Sequence, residues 1–360
     1  MIVKNEEHII ERALRSAFRI CDTWSIVDTG STDKTKEIIQ KVADELNIKG
    51  YLYDRPWLNF GHNRTEALSL AKQHMKWAFI LDADDTLEGD FDKSILDTSF
   101  CGYNITMNQK NINVYQNLRF INCLFDWKYI GVTHEYPECL DTNAKKGELP
   151  SSIYINYTSQ GHRNITKQKF VNDIELLQKE LDDSNVINPR TLFYLAQSYR
   201  DAGIKNKAIQ YYLERTNAGG WNQEIYMSYV NLVNLSDTYE DKLKYAWKAQ
   251  NILPERKEAI YEVLLWGRKN NVFTHEMYSL ALSCEGQLNP TYLFVNPFMY
   301  GWSFYDEFGL TAYNTKHYNL AYMLFNIALE SCPAGEKERI QRNIEFSLQH
   351  IEPEIVEVAI

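Results

Sequence analysis

Three carboxylates follow an apolar run in residues 79–86, which read Phe-Ile-Leu-Asp-Ala-Asp-Asp-Thr. The run predicts a buried strand, and Asp82, Asp84 and Asp85 come directly after it. In an open α/β sheet the carboxyl ends of the strands form the ligand crevice. Acids gathered there repel one another and lose hydration, so a cation normally lies between them. Such oxygen ligands suit Mg²⁺ or Mn²⁺ shared with a phosphate. The alternative is helix capping, because Asp is common before a helix.

The composition predicts a globular chain long enough for two domains, since 44% of its 360 residues are hydrophobic. The formal net charge of −10 disfavours nucleic acid and anionic membrane surfaces as main partners. It leaves room for a phosphorylated nucleotide, which needs only a local cationic pocket. The cysteines are scattered without zinc-ligand spacing, so reduced thiols are expected. Because the sequence has neither a signal pattern nor a long apolar run, we expect no membrane span and a cytoplasmic location.

Over roughly the first 160 residues, strand patterns alternate with helix patterns, and these predicted elements must position the acids. Short apolar runs predict strands at residues 1–3, 24–27, 51–53 and 77–81. Helical spacing of apolar residues separates them, at residues 6–20, 34–46 and 61–74. Strands that alternate with helices predict a mostly parallel sheet covered on both faces. The first half therefore reads as an α/β nucleotide-binding domain.

From about residue 186 the strand pattern stops and a helical repeat begins. Small and aromatic residues recur with the spacing of a helix-turn-helix repeat of about 34 residues, at Ala196, Tyr199, Gly203, Ala208 and Tyr211. Small residues let paired helices approach, and aromatic rings fill the gaps between repeats. The aromatic-rich residues 292–308 break this register and carry no assignment. We expect an α/β domain over residues 1–165, a connecting helix over 166–185 and an all-α repeat domain over 186–360.

Several motifs in the first half together resemble the inverting family 2 glycosyltransferases of GT-A fold. They are Ile-Val-Lys-Asn-Glu-Glu at 2–7, Val-Asp-Thr-Gly-Ser-Thr-Asp-Lys-Thr at 27–35, Asn-Arg at 63–64 and Asp-Ala-Asp-Asp at 82–85. The second half resembles the tetratricopeptide-like extension of one bacterial-type branch of that family. The family's first strand usually has several residues before the Val-Lys-Asn motif. This sequence starts inside it, so the first strand is expected to be short or truncated.

The resemblance implies roles on the donor side of a transferase site. Glu6 and Asp28 would contact the nucleoside, and Asp82 the ribose. Arg64 could pair with the donor diphosphate. Asp84 would bind Mn²⁺ or Mg²⁺, which neutralises the departing diphosphate. Two alternatives stay open: Asp28 as a turn residue and Arg64 as a surface cation.

An inverting transfer also needs a base that deprotonates the acceptor hydroxyl. Glu135 is the candidate, about 50 residues after the acidic motif, where the family places its acceptor-side acid. His134 is the second choice, as a base or as a partner of Glu135. His162 lies where some GT-A enzymes supply a late histidine ligand to the metal, although an exposed loop histidine fits equally.

The resemblance implies a metal-dependent inverting glycosyltransferase with a nucleotide-sugar donor, UDP-type favoured. The acceptor would be a glycan or a protein, and the helical repeats allow self-association into a homo-oligomer. One alternative is a repeat scaffold with a decayed transferase domain. Another is a haloacid-dehalogenase-type phosphatase, because residues 82–86 also fit its Asp-x-Asp-x-Thr signature with Asp82 as nucleophile. Against the phosphatase, about 80 residues precede a motif that normally opens that domain.

Overall fold

The chain folds into two compact units, Met1–Ile187 and Asn188–Ile360. The computed structural model describes residues 1–109, 113–158, 160–161, 168–284, 286–289 and 291–351. Within those ranges, no helix has both the length and the apolar character that a bilayer crossing requires.

The first unit begins with a parallel three-stranded sheet in the order β1-β2-β3. Its elements are β1 (Ile2–Val3), α1 (Ile10–Phe18), β2 (Trp24–Asp28), α2 (Thr35–Glu45) and β3 (Gly50–Asp54). Strand β1 pairs with β2 from Ile2 to Val3. Apolar residues of both helices pack with Ile26 of β2 into one buried core. This part of the unit is the predicted strand-helix alternation.

A second, mixed sheet follows in the order β4-β7-β6-β11-β5, with β10 pairing β6. The elements are α3 (Phe60–Lys72), β4 (Trp77–Phe79), β5 (Thr86–Glu88), β6 (Phe100–Gln109), β7 (Asn113–Asn122), β10 (Lys145–Glu148) and β11 (Tyr154–Asn156). Strands β6 and β7 pair antiparallel, as do β4 and β7. Only three residues separate β6 from β7, too few for the crossover that parallel pairing needs. The α/β class is confirmed. The first sheet is wholly parallel, whereas the second combines antiparallel pairs with parallel pairing of β6 to β10 and β11.

A short hairpin and one helix complete the first unit. Strand β8 (Trp127–Ile130) pairs antiparallel with β9 (Tyr136–Cys139), so residues 131–135 form the turn between them. Gly131 in this turn has φ +95°, a backbone conformation that glycine adopts without strain. Helix α4 (Gln168–Asp183) lies within the range predicted for the connecting helix and belongs to the first unit.

The second unit is all-helical over its described residues. Its helices are α5 (Pro189–Asp201), α6 (Lys205–Asn217), α7 (Asn222–Leu235), α8 (Tyr239–Ile252), α9 (Glu258–Asn270), α10 (His275–Leu282), α11 (Trp302–Asn314), α12 (Tyr318–Ser331) and α13 (Lys337–Leu348). Ala196 and Ala208 are fully buried where α5 meets α6, and Tyr199 stacks on Tyr211 with ring centroids 5.5 Å apart. The predicted helical-repeat domain is confirmed, and part of the unassigned aromatic stretch forms α11.

Candidate active site

A cavity of about 860 Å³ lies in the first unit beside the acidic segment. Of the predicted site residues, Glu6, Arg64, Asp82 and Asp84 line it. Lining residues are contributed from just after β1, just after β2, the start of α3 and one face of α4. This volume lies within the range that holds small-molecule ligands, about 300–1,000 Å³.

The carboxylate of Asp82 lies between two arginines. Its Oδ1 accepts a hydrogen bond from Arg64 at 2.6 Å, and its Oδ2 accepts one from Arg119 at 3.0 Å. The two arginine side chains are only 14% and 13% exposed, so water screens these charges weakly. Burial alone would raise the pKa of Asp82, but the charges of Arg64 and Arg119 outweigh it and lower that pKa. Asp82 is therefore a fixed anion at neutral pH.

Arg64 also joins the acidic segment to the predicted acceptor-side acid. Its Nε lies 2.6 Å from Oε1 of Glu135, as an ion pair without hydrogen-bond alignment of the N–H. Burial opposes the charge on Arg64, but Asp82 and Glu135 together raise its pKa above the ordinary value. One guanidinium thus bridges the carboxylates of Asp82 and Glu135.

The start of α3 holds this bridge in place by packing directly on the β8–β9 turn. The amide of Phe60 donates to the carbonyl of Val132, and the amide of Tyr129 donates to the Thr65 hydroxyl, both at 3.0 Å. A Cβ at Gly61 would overlap the carbonyl oxygen of Gly131, so only glycine fits there. This close approach sets the distance between the arginine of α3 and the glutamate of the turn.

Asp84 is oriented by the chain near residue 161. Its Oδ2 accepts a hydrogen bond from the amide of Gly161 at 3.0 Å, and its carbonyl accepts from Arg12 and Thr158, each at 2.8 Å. Burial, followed by the nearby charge of Asp82, raises the pKa of Asp84. A carboxylate whose charged form is disfavoured gains from a cation beside it.

A second carboxylate lies beside Asp84. A Cβ placed on Gly161 would be 3.3 Å from Oδ2 of Asp84 and 3.5 Å from Oε1 of Glu6, so both oxygens flank this glycine. Mg²⁺ is commonly held by one or two carboxylates together with substrate phosphates. The pair fits that requirement, although no cluster of three or more ligand side chains occurs among the residues described. His162, the predicted histidine ligand, lies outside the described residues.

Asp85 is buried and does not cap a helix. Its Oδ1 accepts a hydrogen bond from the amide of Thr158 at 3.2 Å, and the segment after it forms β5. The helix-capping alternative for the acidic segment is therefore wrong, since a strand follows. Burial, followed by the charge of Asp82, raises the pKa of Asp85 to about 8. These two effects favour the neutral form of Asp85.

Asp28 is fully buried at the end of β2. Its Oδ1 accepts hydrogen bonds from the amides of Gly30 at 2.9 Å and Ser31 at 2.8 Å, which is the geometry of a turn-forming aspartate. Its Oδ2 has no hydrogen-bond partner among the described residues, although it is buried. Such an orphaned acceptor is costly unless a ligand donates to it. The described lining of the large cavity does not include Asp28.

His134 precedes Glu135 in the hairpin turn. Its side chain is exposed and its φ is +51°, in the left-handed region that turns use. Glu135 by contrast is 11% exposed and turned toward Arg64. The two neighbours therefore lie in different surroundings.

Arg119 is the residue of this site that the sequence did not reveal. It lies in β7, and its carbonyl accepts a hydrogen bond from the amide of Ile80 at 2.7 Å, just before the acids. The only available signal was a lone arginine in the apolar run Leu-Arg-Phe-Ile at 118–121. A charge inside a buried strand requires a partner, but the sequence does not say that the partner is Asp82.

Residues 1–99 match the family model "Glycosyl transferase family 2". The resemblance to family 2 glycosyltransferases is confirmed. An uncharacterized glycosyltransferase of Rickettsia bellii is 33% identical over 95 residues, which cover 26% of this chain and 30% of that protein. The lipopolysaccharide core biosynthesis glycosyltransferase LpsC of Rhizobium meliloti is 33% identical over 88 residues, covering 24% of this chain and 31% of that protein. The chain thus spans about a third of the length of these two glycosyltransferases.

Solved structures give weaker likenesses. TarS residues 1–349 of S. aureus in complex with UDP-GlcNAc gives a TM-score of 0.34 at 12% identity, covering 82% of this chain and 97% of that one. MamA gives a TM-score of 0.35 at 20% identity, covering 48% of this chain and 95% of that one. At these TM-scores neither likeness carries a functional argument, and the family 2 match stands on the sequence of residues 1–99.

Proposed function

We propose that this chain is a glycosyltransferase that uses a nucleotide-sugar donor, with its donor site in the cavity of the first unit. One observation carries the proposal: Glu6, Arg64, Asp82 and Asp84, all within the segment matched to family 2, line a single cavity. A nucleotide sugar has a diphosphate that needs cations and a ribose whose hydroxyls need acceptors. The cavity supplies a guanidinium and three carboxylates for these groups.

The donor would lie with its diphosphate toward Arg64 and its nucleoside toward Glu6. A UDP-type nucleotide is favoured. The buried, orphaned Oδ2 of Asp28 would accept a hydrogen bond from the base or ribose. Asp84, beside Glu6, would hold Mn²⁺ or Mg²⁺. When bound, this cation stabilises negative charge on the departing diphosphate.

Glu135 would act as the base toward the acceptor hydroxyl, in an inverting transfer. Its ion pair with Arg64 constrains this role, because the guanidinium already contacts Oε1 of Glu135 at 2.6 Å. A bound diphosphate carries more negative charge than a carboxylate and would compete for Arg64. Donor binding would then release Glu135 toward the acceptor. The order of events, donor first and base second, follows from this shared arginine.

The acceptor is proposed to be a glycan or a protein. Trp57 and Phe60 line the same cavity, with ring centroids 4.6 Å apart in an edge-on arrangement. Aromatic rings at a cavity offer an apolar surface with directional contacts, which suits the flat face of a sugar ring. This placement supports a sugar-containing acceptor.

The test is slow hydrolysis of nucleotide sugars by the full chain in the presence of Mn²⁺. Wild type should release the nucleoside diphosphate from at least one donor, and Asp84→Ala should not. Asp126→Ala is the matched control, because Asp126 is 77% exposed and pairs only with Lys72 among the ion pairs found. Equal activity of Asp84→Ala and wild type would contradict the proposal. Hydrolysis of a simple phosphate ester that is lost in Asp82→Asn would instead support the phosphatase alternative.

A further inference from the structure

The second unit carries a segment of its own chain laid across the N-terminal ends of three helices. Residues 291–300 contact Phe193 of α5, Gln223 of α7 and Arg256, which lies two residues before the start of α9. The segment includes the first part of the non-repeating aromatic stretch that the sequence left unassigned. Its backbone departs from helical geometry, and only residues 297–300 form a short 3₁₀ turn.

The first contact recognises peptide backbone. The amide of Leu293 donates to Oε1 of Gln223 at 3.3 Å, and Nη2 of Arg256 donates to the carbonyl of Leu293 at 3.0 Å. Nη1 of Arg256 donates to the same Gln223 oxygen at 2.6 Å, which fixes the two side chains relative to each other. The backbone amide and carbonyl of Leu293 are thus both hydrogen-bonded, the first to Gln223 and the second to Arg256. This contact is independent of the side chain at that position.

The side chain of Arg256 is held rigidly by the groups around it. It is fully buried, donates to both carboxylate oxygens of Glu258 at 3.1 and 2.8 Å, and stacks over the Tyr226 ring at 4.5 Å. On its other side lies the ring of Tyr292 at 5.1 Å, from the segment itself. The guanidinium therefore needs no rearrangement to bind a backbone carbonyl.

The second contact recognises an aromatic side chain. Phe294 stacks on Phe193 with ring centroids 6.3 Å apart and an interplanar angle of 17°. Phe193 is fully buried, whereas Phe294 is 52% exposed. Phe294 also has φ +51°, a conformation that is unfavourable for a residue with a Cβ. Its ring is held in place at a cost in backbone conformation.

The segment has fewer buried side chains than the helices beneath it. None of residues 291–299 is buried, while Tyr300 at its end is buried and donates to Glu258 at 3.0 Å. A stretch with few buried side chains, anchored at its end, opens more readily than the packed helices. Removing it would uncover the backbone-binding pair and the Phe193 ring together.

We propose that the surface formed by Phe193, Gln223 and Arg256 is a binding site for an extended peptide of a partner protein, and that residues 291–300 occupy it as an internal competitor. The partner peptide would place one backbone amide and carbonyl against Gln223 and Arg256, followed by a large aromatic or apolar residue against Phe193. This inference is independent of the transferase proposal, because it concerns the second unit alone.

The probe is a labelled synthetic peptide with the sequence of residues 291–300, titrated into the full chain by fluorescence anisotropy. Phe294→Ala weakens the internal competitor, so it should bind this peptide at least tenfold more tightly than wild type. Phe346→Ala, at a 49% exposed position of α13, is the matched control and should bind like wild type. A second peptide carrying Leu293→Pro lacks the amide that Gln223 receives and should bind at least tenfold more weakly. Equal binding of the two peptides, or none to Phe294→Ala, would overturn the proposal.

Hydrogen exchange of the wild-type chain gives a test that needs no variant. The Leu293 amide should exchange at least tenfold faster than the amides of α9, and saturating peptide should increase its exchange further. Exchange of Leu293 at the rate of α9, unchanged by peptide, would show that the segment opens only when the unit unfolds. That result would also overturn the proposal.

Discussion

Asp82→Asn tests the two-arginine arrangement around the acidic segment. The substitution keeps the shape of the side chain and removes its charge. Arg64 and Arg119, 14% and 13% exposed, would then face each other without the carboxylate between them. Removing one partner of a buried ion pair costs about 3–5 kcal/mol. Asp82 is 29% exposed and Arg64 keeps Glu135, so we expect a loss near the lower end, about 3 kcal/mol.

The measurement is native-state hydrogen exchange of β2 amides, because the two units can unfold separately and a single melting curve would mix them. Asp126→Asn is the control, since its pair with Lys72 lies on the surface and is expected to contribute no more than about 1 kcal/mol. The folded pKa of Asp82 is lowered, so its stabilisation is present above the ordinary value of 3.8 and is lost as the pH falls below it. The difference between wild type and Asp82→Asn should therefore shrink below about pH 4. A loss in Asp82→Asn no larger than in Asp126→Asn would refute the reasoning.

Further substitutions separate the roles of the other residues. Glu135→Gln should lower turnover by ~10²–10⁴-fold without weakening donor binding in steady-state assays, because general-base catalysis contributes that much; a larger loss in His134→Ala would move the role to the histidine. Asp85→Asn should stabilise the fold relative to wild type by about 3–4 kcal/mol more at pH 8 than at pH 5, measured with EDTA by native-state hydrogen exchange of β2 amides, since the raised pKa makes ionisation of wild-type Asp85 unfavourable; a pH-independent difference would contradict this. Gly61→Ala should lose about 1–3 kcal/mol by overlap with the hairpin turn, whereas Gly335→Ala, with open space at its Cβ, should lose little; equal losses would argue against the close contact.

The acidic segment shows which features of the site the local sequence pattern can predict. An apolar run ending in acids located the edge of the cavity, and Asp82 and Asp84 line it as expected. The partner Arg119 could not be predicted, because it reaches Asp82 only through the register of β7 against β4. Pairing between strands about 40 residues apart depends on how the whole sheet assembles. The spacing of nearby residues therefore does not predict it.

The helix-capping alternative failed for a similar reason. Asp before a polar stretch resembles a helix start, but Leu87 is buried and its strand pairs antiparallel with β11. Residues 86–88 form a strand because they pair with a strand some 67 residues later in the chain. Short segments follow their tertiary surroundings more than their own propensity.

The second unit was predictable where packing is local. Small residues such as Ala196 and Ala208 lie where paired helices touch, and their spacing is visible in the sequence. Residues 291–300 were not predictable, because Leu293 and Phe294 bind groups on helices far away in sequence. A sequence repeat reflects contacts between neighbouring helices. A segment that contacts several repeats produces no periodic pattern in the sequence.

The central claim is that the cavity beside Asp82 and Asp84 is the donor site. Isothermal titration of a nucleoside diphosphate into the full chain, with Mn²⁺ and then with EDTA, tests it most directly. Wild type should bind only with the metal, Asp84→Ala should show no metal-dependent binding, and Asp126→Ala should match wild type. Metal-dependent binding of equal strength in Asp84→Ala and wild type would contradict the placement of the donor site.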